Sequence, residues 1–152
     1  MDIDRSAPVI VELEVTVEAP LAAVWDLHTD IARWPAWQTD ISTAQPDGPV
    51  APGTTFVWET AGLDITSTVR EVEPRRRIVW GGPAHGIDGV HVWTFEETAA
   101  GTLVRTAESW NGEPVLSDVD GMRDALHGAL STWLAHLKST AESAAASGST
   151  RG

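Results

Sequence analysis

The chain has 152 residues, a length that suits one domain with a core of its own. It contains no cysteine, which excludes disulfides, thiolate metal sites and cysteine nucleophiles and fits a reducing cytoplasm. The formal net charge of −12 argues against nucleic acid and anionic membrane surfaces as partners, because neutralising phosphate requires Lys and Arg.

No stretch approaches the ~20 apolar residues that span a bilayer, so no membrane insertion is expected. The opening MDIDRSAPVI lacks the basic-then-apolar order of a signal peptide, and the expected location is the cytoplasm. The aromatic inventory is eight Trp, two Phe and no Tyr. Large flat side chains fill cores, and they equally suit a chamber that receives a flat or greasy ligand. Without tyrosine, no phenol is at hand as acid or donor.

In chain order, residues 1–8 read as a loose terminus. Val11, Leu13, Val15 and Val17 then alternate with Glu12, Glu14, Thr16 and Glu18, the pattern of a half-buried strand. Pro20 opens a short helix to about His28, with Leu21, Val24 and Trp25 on its buried side. Asp30 caps a second short helix, Ile31 to Trp34, which Pro35 ends. Ile41–Ala44 forms a short strand, and QPDGPVAPG is a loop of turn residues.

Two strands follow at about Thr54–Thr60 and Leu63–Val72, joined by the tight Ala61-Gly62 turn. In that register Trp58 faces Ile65, while Glu59 and Asp64 face solvent. Pro74 and Arg75–Arg77 turn the chain into Ile78–Trp80. Gly81, Gly82, Pro83, Gly86 and Gly89 then read as a flexible loop up to the strand Val90–Glu97. Thr98–Gly101 turns into Leu103–Trp110, and Gly112 and Pro114 break that strand.

The last strong segment runs from Ser117 to about Thr140. Val119, Met122, Leu126, Ala129/Leu130, Trp133/Leu134 and Leu137 recur in steps of three and four and make one helical stripe. Ser117 is the expected N-cap, with Asp120 three residues on completing a capping-box-like start. The run beyond Thr140 is small and polar and reads as frayed. The expected domain is therefore residues 9–140, with 1–8 and 141–152 as flexible termini. Strands grouped together and closed by one long helix mean α+β, with a chamber where a curved antiparallel sheet meets that helix.

These residues resemble a known family. VTVEAPLAAVWDLHTDIARWPAWQTDI is similar to the opening of polyketide cyclase/dehydrase-like members of the START/Bet v1-like (SRPBCC) superfamily, and PGTTFVWETAGLDITSTVREVEPRRRIVWGG and GVHVWTFEETAAGTLVRTAESWNG agree with it. The likeness covers about Val11 to Leu137. It implies a helix-grip fold without cofactors. It also implies a functional range that includes ligand carriers, hormone receptors, cyclases, aromatases and co-chaperones, so fold analogy alone names no reaction.

The hairpin of Val90–Glu97 and Leu103–Trp110 carries the candidate chemistry. A loop at Thr98–Gly101 pairs Phe95 with Val104, Trp93 with Thr106 and His91 with Glu108, all on one face. Directly opposite side chains have Cβ atoms about 5 Å apart, within reach of a His–Glu hydrogen bond. A carboxylate so placed fixes the imidazole tautomer and leaves it poised as a general acid or base. In an apolar chamber such a pair could enolise a ketone, or assist cyclisation or loss of water. Equally, it satisfies itself as a buried pair or anchors a ligand's polar end. A one-residue register slip would expose both groups.

His85, Asp88 and His91 form a second constellation, H-x2-D-x2-H, that matches no firm metal signature; no metal is expected. His85 reads instead as a residue at the pocket mouth. His28, His127 and His136 read as helix-surface or boundary residues. Trp58, Trp80, Trp93 and Trp110 sit on strands. Ile65, Ser67 and Val69 line the same chamber, and Met122, Leu126 and Leu130 close it from the helix. No Walker, dinucleotide or nucleophile-elbow motif is present. Relatives that act as aromatase/cyclases commonly use tyrosine and arginine in the pocket, whereas here tyrosine is absent and Arg105 points outward.

The expected function is binding of a small hydrophobic, aromatic or polyketide-like molecule by a monomer or homodimer. His91 and Glu108 hold it or act on it by cofactor-free cyclisation or dehydration. The alternatives are a ligand carrier and a co-chaperone-like interaction module, the latter with a chamber filled by its own side chains.

Overall fold

A computed structural model describes residues 1–149. The described residues form seven strands: β1 Val9–Val17, β2 Ile41–Pro46, β3 Thr55–Thr60, β4 Leu63–Glu73, β5 Arg77–Ala84, β6 Ile87–Thr98 and β7 Gly101–Asn111. They make one antiparallel sheet in the order β1-β7-β6-β5-β4-β3-β2, so the chain's first strand closes beside its last. Helices α1 Leu21–Thr29 and α2 Trp34–Trp37, with a 3₁₀ turn at Ile31–Arg33 between them, cross from β1 to β2. A short α3, Glu113–Leu116, leads into the long α4, Val119–Ser149. The curved sheet gripping one long helix is the expected α+β helix-grip architecture. No helix among the described residues is long and apolar enough to cross a membrane.

Alternation sorts the sheet into two faces. Val11, Glu108, His91, Trp80 and Val69 are successive cross-strand partners and point inward together. The next inward row is Leu13, Thr106, Trp93, Ile78 and Val72. These rows meet α1, α2 and the Trp133–Ala141 stretch of α4 in the main core. A second cluster joins Val9 and Val11 to Val115, Leu126 and Leu130. A third lies on the outer face, where Ile3 packs on Val79 and Val92.

Four local expectations differ from the structure. Pro35 does not end a helix. It sits in the first turn of α2, where its missing N–H removes nothing the helix could use. The N-cap of α4 is Asp118, whose Oδ1 accepts the Gly121 N–H at 3.1 Å; the Ser117 hydroxyl donates instead to the Pro114 carbonyl. The glycine-rich stretch 81–89 is not a loop but the continuation of β5 and β6 around a tight turn at His85-Gly86. A side chain on Gly81 would collide with the Gly89 carbonyl, so these glycines allow two strands to approach rather than loosening the chain.

The fourth difference concerns the termini. Helix α4 continues past Thr140 to Ser149; residues 150–152 of the expected loose tail lie outside the described residues. Glu142 anchors the extension, accepting from the Glu18 N–H at 2.9 Å and from Lys138 Nζ at 2.6 Å, while Ala141 is buried. At the other end Ile3 is buried and the Met1 ammonium pairs with Glu71 at 2.9 Å.

Candidate functional site

The hairpin register brings His91 opposite Glu108 on the inward face. His91 Nδ1 lies 2.9 Å from Glu108 Oε1, and His91 Nε2 lies 2.7 Å from Thr106 Oγ1. The other carboxylate oxygen, Glu108 Oε2, accepts the Trp110 indole N–H at 2.6 Å. A four-residue chain therefore runs Trp110–Glu108–His91–Thr106. With the Nδ1–H donating to Glu108, Nε2 is the basic nitrogen and receives the Thr106 hydroxyl. The side chains of His91 and Glu108 are 5% and 16% exposed, so the carboxylate is the end of the pair nearer to solvent.

Around this chain the interior is aromatic. Trp80 lies between Val69 and His91, with ring centroids 5.0 Å from the imidazole; Trp93 is 5.1 Å and Trp133 is 5.8 Å from it. Trp93 and Phe95 are buried on the same strand. Ser67 is buried and takes the Trp58 indole N–H at 3.1 Å, fixing that half-buried ring beside Ile65.

Four expected members lie elsewhere. His85 is exposed at the β5–β6 turn, with φ +53°, and its Nε2 is 2.9 Å from the Asp64 carbonyl oxygen, tying two hairpin tips together. It does not converge with Asp88 and His91; among the described residues no group of three metal-ligating side chains gathers. Met122, Leu126 and Leu130 pack with Val9, Val11, Val115 and Trp110 in the second cluster rather than against the tryptophan-rich centre. Trp133, Leu134 and Leu137 cover that centre instead, one to two turns further along α4.

The largest difference is His28. Expected at a helix surface or boundary, it is 0% exposed. Six rings surround it, from Trp93 at 4.1 Å between centroids, through Trp80, Phe95, Trp34 and Trp133, to Trp37 at 6.5 Å. Among the described residues neither of its ring nitrogens has a hydrogen-bond partner. Burial holds the imidazole well below its ordinary 6.5, and the nearby His91 adds in the same direction, so His28 is neutral. The signal was available: Leu21, Val24, Trp25 and His28 follow one helical stripe.

A family model described as polyketide cyclase/dehydrase and lipid transport matches residues 8–142. A Streptomyces cyaneus protein whose name makes it a candidate polyketide cyclase is 27% identical over 128 residues, which is 76% of this chain and 82% of that one. Among solved structures, the hypothetical protein jhp0584 of Helicobacter pylori superposes with a TM-score of 0.74 at 21% identity, covering 88% of this chain and 86% of that one. A START superfamily protein of Mycobacterium smegmatis gives 0.73 at 12% identity, covering 88% and 97%. The di-domain ARO/CYC StfQ of the steffimycin biosynthetic pathway gives 0.73 at 18% identity, covering 91% of this chain and 53% of that one. At these identities the structures speak for the fold, and the family match rests on the sequence. The chain belongs to the polyketide cyclase/dehydrase and lipid transport family.

Proposed function

We propose that the protein binds a small apolar molecule, aromatic or polyketide-like, between the sheet and α4, and that His91, oriented by Glu108, does acid/base chemistry on it. The observation that carries this reading is the 2.9 Å His91–Glu108 pair, set on the inward face and walled by tryptophan. With Glu108 holding the Nδ1–H, the basic Nε2 faces the Thr106 hydroxyl. A ligand oxygen or acidic C–H reaching Thr106 would exchange a proton with His91 through that hydroxyl. The reactions this suits are enolisation followed by cofactor-free cyclisation or loss of water. Likeness to a candidate polyketide cyclase and to StfQ supports the substrate class.

A second reading, a carrier or a co-chaperone-like interaction module, draws on one observation. Both nitrogens of His91 are already engaged, and the rings of the interior pack on one another. Two assays separate these readings. Titration with uncharged N-phenyl-1-naphthylamine should quench the tryptophans saturably if a ligand enters, and should do nothing in an interaction module. Exchange of the methyl protons of 2-acetylnaphthalene for deuterium in D₂O then tests chemistry. The enzyme reading expects exchange that His91→Ala abolishes while probe binding survives; exchange that is equal in the variant removes His91 from the mechanism.

A further inference from the structure

His28, Trp93 and Trp133 come from three different elements, α1, β6 and α4, yet their rings meet. The Trp93 and Trp133 indole N–H groups, and that of Trp37 beside them, are buried and, among the described residues, have no hydrogen-bond partner, as are both nitrogens of His28. Buried polar atoms in proteins are nearly always partnered, by protein or by something bound. Of the six buried side-chain atoms without a hydrogen-bond partner among the described residues, five belong to His28 and the rings around it; the sixth, Arg77 Nε, lies 3.1 Å from a Glu71 carboxylate oxygen on the outer face. By contrast, His91, which touches three of the same tryptophans, is fully served by Glu108 and Thr106.

The inventory of these orphans defines what would satisfy them. Three indole N–H groups and one imidazole N–H are donors, and the second imidazole nitrogen is the single acceptor. A guest must therefore bring more acceptors than donors. It must also be uncharged, because among the described residues no cation faces the cage to pair with an anion: Arg77 and Arg105 lie on the outer face with Glu71, Glu14 and Glu96. A flat ring system bearing a ketone or quinone oxygen meets both conditions and matches the aromatic walls.

Resting on the ligand-binding reading above, we propose that His28 is the residue that recognises the ligand, receiving a carbonyl oxygen of an uncharged aromatic molecule within the tryptophan cage, while His91 and Glu108 form a separate pair beside it. Trp80, Trp93 and Trp133 lie between the two histidines, each in ring contact with both, so one flat molecule lying along these rings reaches both.

The test uses three naphthalenes of nearly one shape: 2-acetylnaphthalene, 2-ethylnaphthalene, which lacks the oxygen, and 2-naphthoate, which is charged. Affinities are read by tryptophan quenching in the wild-type chain and in His28→Leu, with His28→Gln as a second variant that keeps a donor and an acceptor. The wild type should prefer the ketone over the hydrocarbon by about tenfold or more, the usual discrimination when a buried donor is left unpaired. It should reject the naphthoate. His28→Leu should erase the ketone preference while leaving ethylnaphthalene binding in place, and His28→Gln should restore part of it. The ¹⁵N resonances of the His28 ring should shift with the ketone alone, a wild-type readout that stands if either variant fails to fold. Ketone and hydrocarbon binding alike, with His28 resonances unmoved, would assign the orphaned groups to buried water and overturn the His28 role only. No binding by any naphthalene would overturn the ligand-binding reading and this one with it.

Discussion

Removing the Glu108 carboxylate is the perturbation whose cost the geometry specifies best. Glu108→Ala takes away two acceptor oxygens, one 2.9 Å from His91 Nδ1 and one 2.6 Å from the Trp110 indole nitrogen. His91 is buried, so an imidazole N–H left unmet there costs about 1–3 kcal/mol. Trp110 is half-buried and its N–H can turn to solvent, adding about 0.5–1 kcal/mol. The sum, about 1.5–4 kcal/mol, should lower the melting temperature of a chain this size by roughly 5–12 °C. Glu108→Gln should behave differently. Its amide oxygen can keep Trp110 while its NH₂ donates to Nδ1, provided His91 changes tautomer and donates from Nε2 to Thr106. The expected cost is then under about 1 kcal/mol, yet the basic Nε2 is gone, so proton exchange on a ketone should be lost at nearly full stability. Urea denaturation of both variants, with ¹⁵N tautomer assignment of His91, checks each part. A Gln variant as unstable as the Ala variant, or an Ala variant as stable as the parent, would refute the network as drawn.

Three further outcomes follow from the same contacts. Because burial depresses the His28 pKa, the unfolded chain binds a proton there that the folded chain refuses; stability from this residue is complete above pH 6.5 and falls by up to about 1.4 kcal/mol per pH unit below it. Urea midpoints between pH 7.5 and 5.5 should show that slope, reduced in His28→Leu; parallel profiles would deny the burial. Asp118→Ala should cost about 1 kcal/mol by uncapping α4 and Ser117→Ala much less, a contrast read by circular dichroism melts. Gly101→Ala should destabilise strongly, by about 2 kcal/mol or more, since its φ is +136° and a Cβ would strike the Val17 carbonyl; Gly48→Ala, with nothing within 4 Å, is the control for the same melts.

How much of this was legible in the chain itself depends on whether the deciding contact is local. Strand alternation and a two-residue turn are local, and they placed His91 opposite Glu108, Trp93 opposite Thr106 and Trp58 opposite Ile65 in the observed register. The outward direction of Arg105 follows from the same parity, and it pairs there with Glu14 at 3.4 Å. The 81–89 segment was not legible because Gly serves both as a loop residue and as a place for close strand approach; only the approach of the Gly89 carbonyl to Gly81 in the folded hairpin decides between them. Likewise Ser117 and Asp118 are both good caps, and the α3 turn, which engages the Ser117 hydroxyl, selects Asp118. The tail AESAAAS is polar enough to look frayed, but alanine is the best helix former, and the Glu142 anchor lies across the fold on Glu18.

The site was half-read for the same reason. The His91–Glu108 pair lies within one hairpin, whereas the cage around His28 needs α1, α2, the sheet and α4 together. Helical spacing put Trp133 on the buried stripe of α4, but nothing in the spacing says that this ring, rather than Met122 or Leu126, meets the tryptophans of the sheet.

The most direct test of the central claim is native mass spectrometry of the chain purified gently from its own host. The account predicts a protein mass carrying a retained small molecule, uncharged and aromatic, that 2-acetylnaphthalene displaces. A bare chain that also fails to bind N-phenyl-1-naphthylamine would contradict it and leave the interaction module as the better description.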